Sequence, residues 1–190
     1  ASEGRSIAAA LKDRLDYDKN PEKTDGGLLV TGYQCSPDTA WQEFAVSKQI
    51  YTATTGRKRA PDQDVISYLI IQSFEPGTIT PEDANKLGYK LAMEFTGGEH
   101  QFIVATHVDK KHIHNHIIVN NVNLENGRTL NYLADRGKQN LLYQKIRDTS
   151  DMLCREHQLS VVENPELGKK QRWYEWSQEK QGLSWKSKLR

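Results

Sequence analysis

The sequence predicts an α+β domain, and three observations carry that prediction. Several stretches have helical periodicity with recognisable start and stop signals. Other runs are rich in β-branched and aromatic residues, and two of these flank a short charged break as the arms of a hairpin. At 190 residues the chain suits one domain with room for an appendage. About 70% of the unfolded surface is buried at this size, so the core can be substantial.

In chain order, Ser6 to Leu15 reads as a short helix. Residues 16–27 form a polar loop punctuated by Asn20-Pro21 and Gly26-Gly27. Leu28 to Tyr33 reads as a strand. Ser36-Pro37 looks like an N-cap followed by proline at the first helical position, opening a helix that runs to Thr55 and stops at Gly56. Trp41, Phe44, Ala45, Lys48 and Tyr51 mark its inner face, with the Lys48 stem laid along it. Arg57-Lys58-Arg59 follows as a basic loop, equally a solvated turn or a phosphate contact. Val65 to Ser73 reads as a buried strand. Thr80-Pro81-Glu82-Asp83 supplies cap, proline and first-turn acids for a helix whose core face is Ala84, Leu87, Leu91 and Phe95 and whose end is Gly97-Gly98. After the hairpin, Asn126-Gly127 signals a turn. A long helix from about Asp135 to His157 carries Leu141, Leu142, Ile146, Met152 and Leu153. Leu159 to Val162 suggests a last short strand.

The hairpin is the informative stretch. Four of the six histidines fall within ten residues, His107, His112, His114 and His116. A two-residue turn at Lys110-Lys111 sets His107 opposite His114. Side chains alternate along a strand, so His112, His114, His116 and His107 then share one face. Opposite Cβ atoms lie roughly 5 Å apart and diagonal ones roughly 7–8 Å, close enough for imidazoles to converge on one ion at about 2.0–2.1 Å per bond. A single strand histidine is usually a hydrogen-bonded structural residue. Four on one face, without a metal, would only depress one another's protonation. No cysteine is near, which argues against a closed structural zinc site, and three imidazoles leave coordination positions open for chemistry.

The net charge of +1, from 26 basic and 25 acidic residues, excludes a globally basic nucleic-acid binder but leaves room for a local basic surface. That surface is sought in residues 166–190, which hold seven basic and three acidic residues, +4 locally against −3 for the rest. Lys169, Lys170 and Arg172 there interleave with Trp173, Tyr174, Trp176 and Trp185, a mixture that suits phosphate contacts and base stacking or, equally, a helix packed on the domain. Cys35 and Cys154 form no motif and fit a reducing, cytoplasmic setting. No long apolar run predicts a membrane span, and the polar N-terminus does not read as a signal peptide.

Two places carry a family resemblance. One is His107-x-Asp109-x-x-His112-x-His114-Asn115-His116 followed by Ile117-Ile118-Val119-Asn120. The other is Asp16-Tyr17 ahead of Asn20-Pro21-Glu22-Lys23-Thr24. Together they resemble conjugative relaxases of the MobP type, within the HUH endonuclease superfamily, from about residue 5 to the end. The resemblance implies a central antiparallel sheet flanked by helices. The composition shift described above divides the chain into residues 1–165 as the nuclease domain and 166–190 as a helical, DNA-contacting segment. The resemblance also implies a metal-dependent, strand-specific nickase that forms a 5′-phosphotyrosine bond with single-stranded or hairpin origin-of-transfer DNA, alongside accessory and coupling proteins. Tyr17 falls on the family's nucleophile and His107, His114 and His116 on its metal ligands. His112 stands where relatives often have Asn and is an additional candidate for metal or phosphate. Relatives usually have a strand before the first helix and continue past the basic tail, so the chain reads as a catalytic domain alone.

The chemistry is consistent with those roles. Tyrosine has a pKa near 10, so ionising it at pH 7 costs about 4 kcal/mol. A divalent ion offsets that cost by polarising the phosphate. Mn or Mg is the expected ion in use, although imidazoles also accept Zn, Co or Ni. Asp109 is expected to orient a histidine or to accept the tyrosine proton. Tyr33, Tyr51, Tyr68 and Tyr89 lie in apolar periodic stretches and read as core, whereas Tyr17 lies in a polar loop whose Asp16, Asp18 and Lys19 resist burial. The competing readings are a rolling-circle initiator or transposase of the same superfamily, a metal-dependent hydrolase without a covalent step, and a DNA-binding module with structural histidines. The first usually places its tyrosine after the histidines, and the usual dinuclear His-x-His-x-Asp-His order of the second is absent.

Overall fold

The computed structural model describes residues 7–58, 64–130 and 136–161. Four strands form one antiparallel sheet in the order β1-β3-β4-β2, with β1 at Val30–Tyr33, β2 at Ser67–Ser73, β3 at Phe102–His107 and β4 at His114–Asn120. Helices α1 (Ile7–Asp18) and α2 (Ala40–Thr55) cover one face, and α3 (Pro81–Thr96) and α4 (Arg136–Glu156) the other. The α+β expectation is met.

The two central strands explain the layering. β3 and β4 are buried along their whole length, and alternate residues feed opposite cores. Phe102, Val104, Ile117 and Val119 pack with Ala84, Leu87 and Leu91 of α3 and Leu153 of α4. Ile103 and Ile118 pack with Leu11 and Leu15 of α1 and Phe44 of α2. The same alternation sends His107, His114 and His116 toward α1.

Several boundaries move for identifiable reasons. α1 continues past Leu15 to Asp18, so Tyr17 sits in a last helical turn and not in a loop. α2 begins after Thr39, because Ser36 to Thr39 first make a turn in which Thr39 N–H bonds Ser36 O; its end at Gly56, with φ 67°, is as expected. Lys48 is buried on its inner face and reaches Asp64. β2 is an edge strand and not a buried one, with Ile71 58% exposed, since the sheet's two interior places go to β3 and β4. Thr80 caps α3 by accepting from Asp83 N–H at 3.2 Å, and Ala84, Leu87, Leu91 and Phe95 are all buried. On α4 Leu153 is buried, Leu142 and Ile146 are partly so, and Met152 is exposed; the Leu141 side chain lies outside the described residues. Leu159 to Val161 follow the helix without joining the sheet, and Val162 lies outside the described residues. Cys35 and Cys154 are free thiols. No described helix is long and apolar enough to cross a membrane.

Candidate active site

The site is assembled where the ends of β3 and β4 meet the last turn of α1. His107 pairs with His114 across the two strands, the register expected from the sequence. The tight hairpin does not form, however. The ladder stops at that pair, and residues 108–113 make a longer connection whose ends are claimed elsewhere: Val108 N–H bonds Lys23 O at 2.8 Å, and Ile113 O accepts from Phe74 N–H at 3.0 Å. His112 lies in this connection, half-buried, its ring 5.1 Å from that of His114 but outside the converging set.

His107, His114 and His116 do converge. Each offers a ring nitrogen, and these nitrogens lie within 4.8 Å of one another in a buried cluster. His107 Nε2 donates to Asp18 O at 2.7 Å, and His114 Nδ1 faces His112 O at 3.3 Å. One nitrogen of each of these rings is thereby held, which fixes the ring and leaves the other nitrogen for an ion. Burial pushes the His114 imidazolium down to about 4, against the pull of the His112 carbonyl and reinforced by the neighbouring rings. Burial lowers His107 as well, opposed by the Asp18 carbonyl. Neutral imidazoles are the form that binds metal.

His116 Nδ1 has two neighbours that make opposite demands. Arg14 Nη2 donates to it at 3.1 Å, while Asp18 Oδ1 stands 3.0 Å away without hydrogen-bond alignment. Asp18 is fully buried; its Oδ2 accepts from Arg14 Nε at 2.7 Å, and Oδ1 is left without a hydrogen bond. A divalent ion fits this arrangement. Were His116 to hold an ion through Nε2, the proton would stay on Nδ1 and supply the donor that Oδ1 lacks.

Tyr17 stands at the edge of the cluster. It is 54% exposed, its ring centroid lies 6.4 Å from that of His107 in an edge-to-face arrangement, and Lys23 Nζ sits 3.4 Å above the ring. Lys23 is brought there by the turn after α1, where Asn20 Oδ1 accepts from Glu22 N–H, Asn20 O from Lys23 N–H, and the buried Thr24 hydroxyl bonds Asn20 O. Gly26 and Gly27, with φ of 66° and 88°, then turn the chain back toward β1.

The expected burial pattern around Tyr17 needs correction. Asp18 and Lys19 are not exposed loop residues: Asp18 is paired inside, and Lys19 donates to Pro37 O. Asp109 is exposed and makes no described hydrogen bond to a histidine; the carboxylate beside the cluster is that of Asp18. Arg57 and Lys58 are exposed after α2. Arg59, Lys169, Lys170, Arg172 and Trp173 lie outside the described residues, as does the boundary at residue 165. Arg14, Asp18 and Lys23 were the residues that sequence reasoning passed over. For Asp18 the signal was helical spacing, since Leu11, Leu15 and Asp18 fall on one face of a helix that continues to residue 18, and for Arg14 it was the i,i+4 step to Asp18; Lys23, in the turn after the helix, carried no such signal.

Comparison with known proteins agrees with this geometry. The family model "Relaxase: MobA/VirD2-like, nuclease domain" matches residues 17–159. Over 133 residues the chain is 38% identical to protein rlx of Staphylococcus aureus, covering 70% of this chain and 38% of that protein. Over 141 residues it is 36% identical to the group II intron-interrupted relaxase LtrB of Lactococcus lactis subsp. cremoris strain MG1363, covering 64% of this chain and 25% of that protein. The chain thus spans well under half the length of these relatives. The match runs from Tyr17 through both histidine strands to the end of α4, and the chain belongs to the relaxase family, whose MobA/VirD2-like nuclease domain it contains.

Proposed function

We propose that this domain is a metal-dependent, strand-specific DNA nickase whose nucleophile is Tyr17. The observation that carries the reading is an exposed tyrosine beside three buried imidazoles that converge on one point. The name relaxase borne by LtrB and by the matched family supports it. The substrate is single-stranded or hairpin origin-of-transfer DNA, acted on in the cytoplasm within a conjugative system that includes accessory and coupling proteins.

His107, His114 and His116 would hold one divalent ion, Mn or Mg in use, with Zn, Co or Ni as other ions that imidazoles accept. An ion held there would supply Lewis-acid polarisation of the scissile phosphate and stabilise the charge that develops on it. Tyr17 Oη forms a bond to phosphorus, the bond from phosphorus to the 3′ oxygen breaks, and that oxygen takes up a proton from water to leave as the 3′ hydroxyl. The 5′ phosphate stays on Tyr17. Asp109 takes the tyrosine proton, and His112 contacts a phosphate oxygen. One phosphodiester replaces another, so the reverse reaction rejoins the strand. Arg57, Lys58 and Arg59, with Lys169, Lys170, Arg172 and Trp173 of the basic aromatic segment at 166–190, track the DNA backbone outside the catalytic centre.

The test is incubation with candidate single-stranded origin DNA and Mn²⁺ or Mg²⁺, followed by a denaturing gel. A covalent adduct that disappears in Tyr17→Phe is expected. Free cleaved ends without an adduct would indicate hydrolysis and overturn the reading.

A further inference from the structure

Asp18 touches two of the three histidines from the residue next to Tyr17. Its backbone oxygen accepts from His107 Nε2 at 2.7 Å, and its carboxylate stands 3.0 Å from His116 Nδ1. The carboxylate is fully buried with one oxygen unsatisfied. A buried acceptor left without a donor is destabilising, so its retention needs a reason. Arg14 accounts for only Oδ2. The missing donor is a proton on His116 Nδ1, which Arg14 Nη2 displaces as long as it donates to that nitrogen.

We propose that Asp18 is a positioning residue that couples metal occupancy to the placement of the nucleophile. Coordination by His116 through Nε2 places the proton on Nδ1, and Nδ1–H then donates to Asp18 Oδ1. The same coordination requires Nδ1 of His107, whose Nε2–H stays on the Asp18 carbonyl. Both bonds end on one residue of the last turn of α1. An ion in the cluster therefore draws that turn, and with it Tyr17, against the sheet. Arg14 Nη2 loses its acceptor on His116 and turns outward, while its Nε remains on Asp18.

This inference rests on the histidine cluster holding an ion, and the experiment separates the two. Mn²⁺ binding to the whole chain is followed by calorimetry, with circular dichroism to verify folding. Asp18→Asn, which keeps the shape but cannot satisfy His116 and Arg14 together, is expected to bind Mn²⁺ about 10–100-fold more weakly. Lys12→Ala, on the exposed side of the same helix, is expected to bind as the unaltered protein does. In hydrogen exchange on the unaltered protein, saturating Mn²⁺ should slow the amides of Lys19 and Asn20, which close the last turn on Leu15 and Tyr17, and leave α2 unchanged. This second measurement decides the matter if Asp18→Asn does not fold. Equal Mn²⁺ affinity in a folded Asp18→Asn, or exchange at Lys19 and Asn20 indifferent to Mn²⁺, overturns the coupling and leaves the nickase reading standing. Unaltered protein that does not bind Mn²⁺, or His114→Ala that binds it equally well, overturns the metal reading and this inference with it.

Discussion

The two faces of the central hairpin bury polar side chains in opposite ways. Toward α3, Thr106 and Asn115 belong to a closed network. The Thr106 hydroxyl donates to Asn115 Oδ1 at 2.6 Å and accepts from Asn85, while Asn115 Nδ2 donates to Gln72 Oε1 and Ala84 O. Asn85 extends it to Thr31 on β1, and Gln72 to Ser150 on α4. No described side-chain atom of this network lacks a partner. One residue away along the same strands, toward α1, His107, His114 and His116 leave ring nitrogens over, and Asp18 Oδ1 is unsatisfied. Satisfied networks specify a fold, whereas polar groups buried and left unmet mark the place of a ligand.

The largest separation between the faces should come from exchanging their central residues. His114→Ala should abolish Mn²⁺ binding and cleavage while leaving the apo protein folded, as read by metal analysis and thermal melting. Asn115→Ala should do the reverse, costing about 1–3 kcal/mol of stability through the partners it strands, with one Mn²⁺ per chain retained below its melting point. Loss of metal in a folded Asn115→Ala would show that the faces are not separable. Gly88→Ala presses on the closed network from the helix side. A Cβ there would meet Asn115 Nδ2 at 2.5 Å and Val104 Cγ1 at 2.9 Å, so a loss of about 1–3 kcal/mol in chemical denaturation is expected, with metal affinity unchanged.

Which parts were legible follows from the same contrast. The histidine register was, because alternation on two β-rich arms fixes which residues share a face, whatever the connection does. The connection itself was not, since Lys23 O and Phe74 N–H, both distant in sequence, claim its ends. α3 was readable nearly to the residue because cap, proline and αL glycine were all present. β2 was misplaced in the sheet because a β-branched run reports strand propensity and not whether a neighbour lies beyond it. The role of Asp18 was hidden by ending α1 at Leu15. An aspartate beside a tyrosine and a lysine reads as loop until the helix is extended and Arg14 becomes its i,i+4 partner.

A smaller effect separates the faces by pH. In the unfolded chain His107 and His114 take up protons near pH 6.5, whereas burial in the folded, metal-free protein lowers His107 and pushes His114 down to about 4. The unfolded state therefore binds more protons between those values, and stability falls as pH drops through that window. Metal-free melting temperatures should decline from pH 6.5 toward 4. His114→Gln should flatten the decline, and Asn115→Ala should leave its slope unchanged. The smallest effect lies outside both faces. Replacing Arg57 and Lys58 by Ala should reduce the salt slope of single-stranded DNA binding by about one for each phosphate no longer neutralised, without altering the cleavage position.

The assignment of Tyr17 as nucleophile is tested most directly by mapping the covalent product. The chain is incubated with Mn²⁺ and cleavable single-stranded origin DNA, digested with nuclease and protease, and the nucleotide-bearing peptide is sequenced by mass spectrometry. A 5′-phosphonucleotide on Tyr17 and on no other tyrosine is expected. A modification on Tyr33, Tyr51, Tyr68 or Tyr89, or cleaved DNA with unmodified protein, would contradict the assignment.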